Sequence, residues 1–154
     1  MAISTDKVIE ECNDLIRFDY DAIGAYDQAI DALKDPQLSQ PLTSFRGDHQ
    51  RHVTDLGSLV RKLGGTPPDA PGARGFIRKA MTKVAGLVGP EATLKAMKSN
   101  EEAINKAYNF HTTLDLPADV LELVKKNYED EKRHLQWVTD ALRTRIWEQP
   151  GAHP

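Results

Sequence analysis

Two pairs of side chains in the sequence carry metal-binding chemistry at helical spacing. His49 and His52 stand three residues apart, and so do Glu131 and His134. Residues three apart share one face of a helix, so each pair can turn its donor atoms toward one region. Asp19 and Glu101 each add a carboxylate 30 residues before the first member of a pair. Carboxylate and imidazole donors together suit borderline divalent cations, above all iron, manganese and zinc. The single cysteine, Cys12, excludes both an intramolecular disulfide and a cysteine-based zinc site.

The two sets are copies of one another. Asp19 and Glu101, Tyr26 and Tyr108, His49 and Glu131, and His52 and His134 are each separated by 82 residues. Asp48 and Asp130 keep the same offset, as do the apolar pairs Val53 with Leu135 and Leu56 with Val138. The chain therefore reads as one helical hairpin duplicated, with the polar residues inside the repeat. Two half-sites related in this way can hold two ions between them. Asp19, His49, His52, Glu101, Glu131 and His134 are the candidate metal ligands, and no separate catalytic residue is assigned. The plain alternative is a polar core without metal. Asp48 and Asp130 lie four residues before His52 and His134, where they act as supporting carboxylates or as ordinary solvated helix charges. Tyr26 and Tyr108 bond to metal carboxylates or simply pack. His111 reads as a helix-end residue and His153 as part of the tail.

The elements that position these residues follow from the prolines, at 36, 41, 67, 68, 71, 90, 117, 150 and 154. Proline breaks helices, so the gaps between prolines are helix candidates. Apolar residues recur through them at three- and four-residue steps, the signature of amphipathic helices. Helices are expected near 5–34, 37–64, 91–114 and 118–147. Short loops join the first to the second and the third to the fourth, so each pair is an antiparallel hairpin. A crossover over 65–90 connects the hairpins, and its second part predicts a short helix near 76–88, with Phe76, Ile77, Ala80, Met81, Val84 and Leu87 on one side. Arg74, Arg78, Lys79 and Lys83 form that helix's wet face. Two hairpins with one long crossover describe an all-α four-helix bundle, a single domain over 1–154. Trp137 and Trp147 on the fourth helix suit either a dimer contact or the bundle edge.

With 154 residues, 40% apolar and 28% charged, the chain has ordinary globular composition. Its net charge of −3 gives no general attraction to nucleic acid or to an anionic membrane. No run approaches the roughly 20 apolar residues of a membrane span, and the first residues lack the order of a signal peptide. A cytoplasmic protein is expected.

Glu101 together with Glu131-x-x-His134 resembles the ligand pattern of the ferritin-like di-iron carboxylate superfamily, in which two helices give one Glu each and two give Glu-x-x-His. The resemblance covers about residues 5–147, and more narrowly it is to small bacterial, rubrerythrin-related proteins of uncharacterised function, some linked to stress responses. It implies a ferritin-like bundle, two iron ions, and oxidation of Fe(II) or consumption of oxygen or peroxide. Zinc or manganese, or a single ion held by Glu101, Glu131 and His134, is the alternative, in a non-catalytic stress or interaction protein. A homodimer is the expected assembly. In the same family pattern, aspartates placed like Asp48 and Asp130 accept a hydrogen bond from a ligand histidine of another helix, which pairs Asp48 with His134 and Asp130 with His52. Two positions depart from the pattern. Asp19 is one methylene shorter than the expected Glu, and His49 replaces a Glu, leaving three carboxylates where four would neutralise two divalent ions.

Overall fold

The computed structural model describes residues 3–69 and 81–149. Helix α1 spans Thr5–Ala32, and the Ser4 side chain caps it by accepting a hydrogen bond from the Lys7 amide. Helix α2 spans Pro36–Lys62; Asp35 caps it and Pro36 occupies its first turn, where a missing N–H costs nothing. Pro41 lies inside α2, one turn after Pro36. The helix closes at Gly64, whose φ of 91° belongs to the left-handed region that glycine adopts without a Cβ clash. Helix α3 spans Pro90–Thr112 and α4 spans Ala118–Thr144.

The ends of α1, α2 and α3 fall two residues before the expected 34, 64 and 114, and two larger differences appear. Helix α4 stops at Thr144 instead of 147: Arg145 turns into the left-handed region and a 3-10 turn, Ile146–Glu148, follows. Arg145 is held there by ion pairs with Glu91 and Glu148, and its guanidinium lies over the Trp147 ring. The short helix expected over 76–88 is not present in its described part. Residues 81–88 are irregular, with a turn at Ala85–Gly86, and 76–80 lie outside the described residues, as do Arg74, Arg78 and Lys79. Gly86 and Gly89, both with positive φ, interrupt any helical path from Met81 into α3.

Every neighbouring helix pair is antiparallel. Glu11 near the start of α1 meets His111 near the end of α3, and Lys62 at the end of α2 meets Asp119 at the start of α4. Gly65 sits beside Ile9 near the start of α1, whereas the Ala85 amide donates to Gln28 near its end. The crossover must therefore run the length of the bundle, about 40 Å for a helix of this size. No helix among the described residues is long and apolar enough to cross a membrane.

The core is apolar at both ends and polar in the middle. Val8, Cys12, Leu15, Leu56, Val60, Ile104, Val120 and Val124 are buried toward one end. Ala29, Leu33, Leu38, Leu42, Leu94, Met97, Val138 and Ala141 are buried toward the other. Trp137 and Trp147 pack at the bundle edge against this core. The crossover is fixed to α3 by Asn100, whose amide accepts from the Thr82 N–H at 2.5 Å and donates to the Thr82 carbonyl at 3.1 Å.

Asn100→Ala removes both bonds and leaves two backbone groups of Thr82 without partners. Such a loss costs about 1–3 kcal/mol. Urea denaturation followed by circular dichroism should show that drop, and an unchanged midpoint would contradict the assigned anchoring role.

Candidate metal centre

Asp19, His49, His52, Glu101, Glu131 and His134 all point inward at the middle of the bundle and all have 0% exposure. Burying six ionisable groups together is tolerable only if they compensate one another or hold an ion. The structure brings all six into one volume, as two interleaved groups. Asp19, His49, His52 and Glu131 form one; His49, Glu101, Glu131 and His134 form the other, with donor atoms in each lying within 4.8 Å of one another. His49 and Glu131 belong to both. The sequence repeat suggests a different division, with Glu131 in one half and His49 in the other. That division fails because each of these side chains has two donor atoms and faces both halves from its own helix.

The distances define the centre. His49 Nδ1 is 2.7 Å from Asp19 Oδ1 and 3.4 Å from Glu131 Oε1, and its Nε2 is 3.4 Å from Glu101 Oε1. His52 Nδ1 is 3.1 Å from Asp19 Oδ1 and 3.3 Å from Glu131 Oε1. His134 Nδ1 is 3.4 Å from Glu131 Oε2 and 3.8 Å from Glu101 Oε1.

A surrounding set of residues fixes this geometry. His134 Nε2 donates to Asp48 at 2.8 Å and His52 Nε2 donates to Asp130 at 2.9 Å, each across the bundle. These bonds direct Nδ1 of both rings into the centre, the orientation a metal ligand needs. The Tyr26 hydroxyl donates to Glu101 at 2.5 Å and the Tyr108 hydroxyl to Asp19 at 2.7 Å. Arg51 pairs with Asp48 and Asp130, and Arg133 pairs with the same two aspartates. This ring covers the α2–α4 side of the centre. Arg51 and Arg133 also lie 82 residues apart, the signal by which the sequence identifies them. Asn105 donates to the backbone carbonyls of Glu101 and Glu131, tying α3 to α4 at the height of the two carboxylates.

The charges are strongly coupled. Burial opposes a charged imidazole at His49, but the Glu131 carboxylate and hydrogen bonds with Asp19 and Glu101 outweigh it and raise its pKa to about 10. At His52 burial is likewise overcome, by the charge of Asp19, by hydrogen bonds to Asp130 and Asp19 and by the nearby Glu131 carboxylate, and the pKa rises to about 11. His134 is raised too, with burial opposed by Asp48, Glu131 and Glu101. Burial and the Glu131 charge push Glu101 up, while the histidines hold Glu131 well down in spite of its burial. Asp48 is held below the usual carboxylate range by His134 and Arg133 against its partial burial, and Asp130 by His52 and Arg133.

The donor set fits a divalent metal. Glu101 Oε2, both carboxylate oxygens of Glu131 and His134 Nδ1 are buried yet have no hydrogen-bond partner. Orphaned buried carboxylate oxygens are costly, and a cation is the partner that satisfies several at once. Cys12 is not part of the centre: it lies in an apolar layer, where burial, then the charges of Glu11 and Asp119, push its thiol up to about 11. His111 also lies apart, donating from Nδ1 to the Ala107 carbonyl and meeting Glu11 through Nε2 at 2.7 Å. His153 lies outside the described residues.

The same architecture occurs in solved structures. A two-domain protein from Anabaena variabilis, containing DJ-1/ThiJ/PfpI-like and ferritin-like domains, superposes with a TM-score of 0.78 at 11% identity over 99% of this chain. This chain spans only 41% of that protein's length. A ferritin-like, diiron-carboxylate protein from Bacillus anthracis str. Ames matches with a TM-score of 0.72 at 22% identity, over 92% of this chain and 99% of that one. Bacterioferritin from Desulfovibrio desulfuricans, whose diiron site is described in different catalytic states, matches with a TM-score of 0.79 at 20% identity, over 94% of this chain and 82% of that one. No curated protein matches the chain in sequence. The fold is thus that of the ferritin-like four-helix bundles. Residues 7–111 match the profile of a domain of unknown function, DUF2383, and the chain belongs to that family.

Proposed function

We propose that the buried cluster is a di-metal centre, with iron as its metal, that serves oxidation of Fe(II) or removal of oxygen or peroxide in stress defence. The observation that carries this reading is the overlap of two four-residue donor groups, in which Glu101 Oε2, both Glu131 oxygens and His134 Nδ1 have no hydrogen-bond partner. Asp19, His49, His52 and Glu131 would hold one ion, and His49, Glu101, Glu131 and His134 the other. When bound, iron supplies reversible one-electron chemistry between its ferrous and ferric states. Around it, Asp48 and Asp130 hold the two outer rings with Nδ1 inward, and Tyr26 and Tyr108 steady one carboxylate each. The apolar layers at both ends and the arginine–aspartate ring keep bulk water from the cluster. Membership of a homodimer is the proposed assembly.

His49 itself favours a second reading. A protonated His49 lies among Asp19, Glu101 and Glu131 as an internal counter-charge, and with His52 and His134, whose pKa values are also raised, it offsets the three carboxylates without iron. A non-catalytic stress or interaction protein, metal-free or with one zinc or manganese ion, follows from that balance.

Anaerobic Fe(II) titration followed by exposure to air distinguishes the two. The first reading predicts stoichiometric uptake and growth of near-ultraviolet ferric absorption. Glu131→Ala should lose both, because Glu131 reaches both groups. His49→Glu, which restores a fourth carboxylate, should raise the rate of oxygen-dependent oxidation. Unchanged uptake in Glu131→Ala would contradict the assignment.

Protons and metal also compete for the same groups. In the metal-free protein the raised pKa values of His49 and His52 stabilise the fold fully below the unfolded value of about 6.5. That contribution fades as pH rises through about 10 and 11. Thermal unfolding of the metal-free protein should therefore shift to lower temperature between neutral pH and pH about 10, and saturating Mn(II) should flatten the decline. A metal-free melting temperature that is flat over this range would contradict the charge assignment.

A further inference from the structure

His49 and Glu131 are equivalents in the 82-residue repeat, and they share a geometric property that no other member of the cluster has. Glu131 divides its carboxylate between the halves: Oε1 lies 3.3 Å from His52 Nδ1, and Oε2 lies 3.4 Å from His134 Nδ1. His49 divides its ring in the same way. Nδ1 lies 2.7 Å from Asp19 and Nε2 lies 3.4 Å from Glu101, so one nitrogen faces each half. His52 and His134 cannot do this, because their Nε2 atoms are committed to Asp130 and Asp48 outside the cluster. Neither nitrogen of His49 is bonded to an outer carboxylate. Its ring lies against Tyr26, 5.4 Å between centroids at a 37° tilt, and His134 packs on it 5.1 Å away.

We propose that His49 bridges the two ions of the centre through both ring nitrogens. The proposal rests on the di-metal reading above. Each nitrogen gives one lone pair to one ion, and any proton it carried passes to solvent, so the bridging ring is an imidazolate with one negative charge. That charge removes the deficit noted in the sequence. Asp19, Glu101, Glu131 and one imidazolate carry four negative charges, the number that two divalent ions require. The lone pairs of an imidazolate diverge, whereas a carboxylate can direct both of its oxygens to the same side. One ring nitrogen would thus serve each half, and the two ions would be coupled through the ring.

Copper(II) is the probe, because it binds nitrogen and oxygen donors most tightly of the first-row divalent ions and two coupled Cu(II) ions lose their ordinary EPR signal. The full-length protein, His49→Gln and His49→Glu are each loaded with Cu(II), dialysed and measured for copper content, EPR intensity and helical content. In the wild type, the second ion should abolish most of the mononuclear signal. In His49→Gln, where only Glu131 still reaches both halves, the retained copper should recover most of its mononuclear EPR intensity. In His49→Glu the coupling should persist through a carboxylate, with a triplet splitting different from the wild type. Equal signal loss in wild type and His49→Gln would overturn the bridge and leave Glu131 as the coupling group. If His49→Gln does not fold, a triplet spectrum of His49→Glu identical to the wild type overturns the bridge, and a changed splitting supports it. Wild-type protein that keeps no copper after dialysis overturns both the bridge and the di-metal reading, whereas copper retained with coupling indifferent to His49 overturns the bridge alone.

Discussion

The burial of three carboxylates and three imidazoles at the centre of one small bundle is the constraint on which the rest of this structure depends. Charged groups with 0% exposure must be compensated locally, since water cannot reach them. The compensation is built in shells. The six groups face one another, the two tyrosines add hydroxyl donors, and Asp48 and Asp130 take the outward nitrogens of His134 and His52. Arg51 and Arg133 then neutralise those aspartates at the protein surface. Apolar plugs above and below supply the stability that such a polar layer does not. The antiparallel packing of every adjacent pair is what brings α1 opposite α3 and α2 opposite α4 at the same height, and it is also why the crossover must span the bundle.

Much of this was legible in the sequence because the repeat is carried by polar residues. An isolated His49 or Glu101 has many explanations, but four pairs at one offset, together with Asp48 and Asp130, point to a single duplicated centre. The proline gaps located the four helices to within a few residues, since a proline constrains its own backbone and that of its predecessor. The crossover was less legible. Met81, Val84 and Leu87 have a helix-like spacing, yet Gly86 and Gly89 adopt positive φ, and the segment is held by Asn100 and Gln28 beside one turn bond of its own, from the Leu87 amide to the Val84 carbonyl. Tertiary anchoring decided its conformation, and periodicity does not report that. The division of the cluster was also hidden. Spacing assigns a residue to a helix face but does not say which donor atom of His49 or Glu131 reaches across.

The repeat is imperfect, and its breaks reach the cluster itself. Asp19 stands for Glu101 and His49 for Glu131. Phe45, packed 4.4 Å from the His134 ring, corresponds to Asn127, whose amide approaches the Tyr108 hydroxyl at 3.5 Å. One half of the cluster is thus backed by an aromatic ring and the other by an amide with an unpartnered oxygen. Two half-sites of one origin have been given different surroundings, one apolar and one polar. Such environments tune bound ions differently even where the nearest donors are alike.

The central claim is that these six side chains hold metal in the interior of the bundle. It is tested most directly by anomalous diffraction from crystals soaked in Mn(II), with data collected on either side of the manganese absorption edge. The account predicts anomalous density inside the cluster, in contact with Glu131 and with members of both four-residue groups. Manganese found only at exposed carboxylates such as Glu10 or Glu129, with the six buried side chains still paired among themselves, would contradict it.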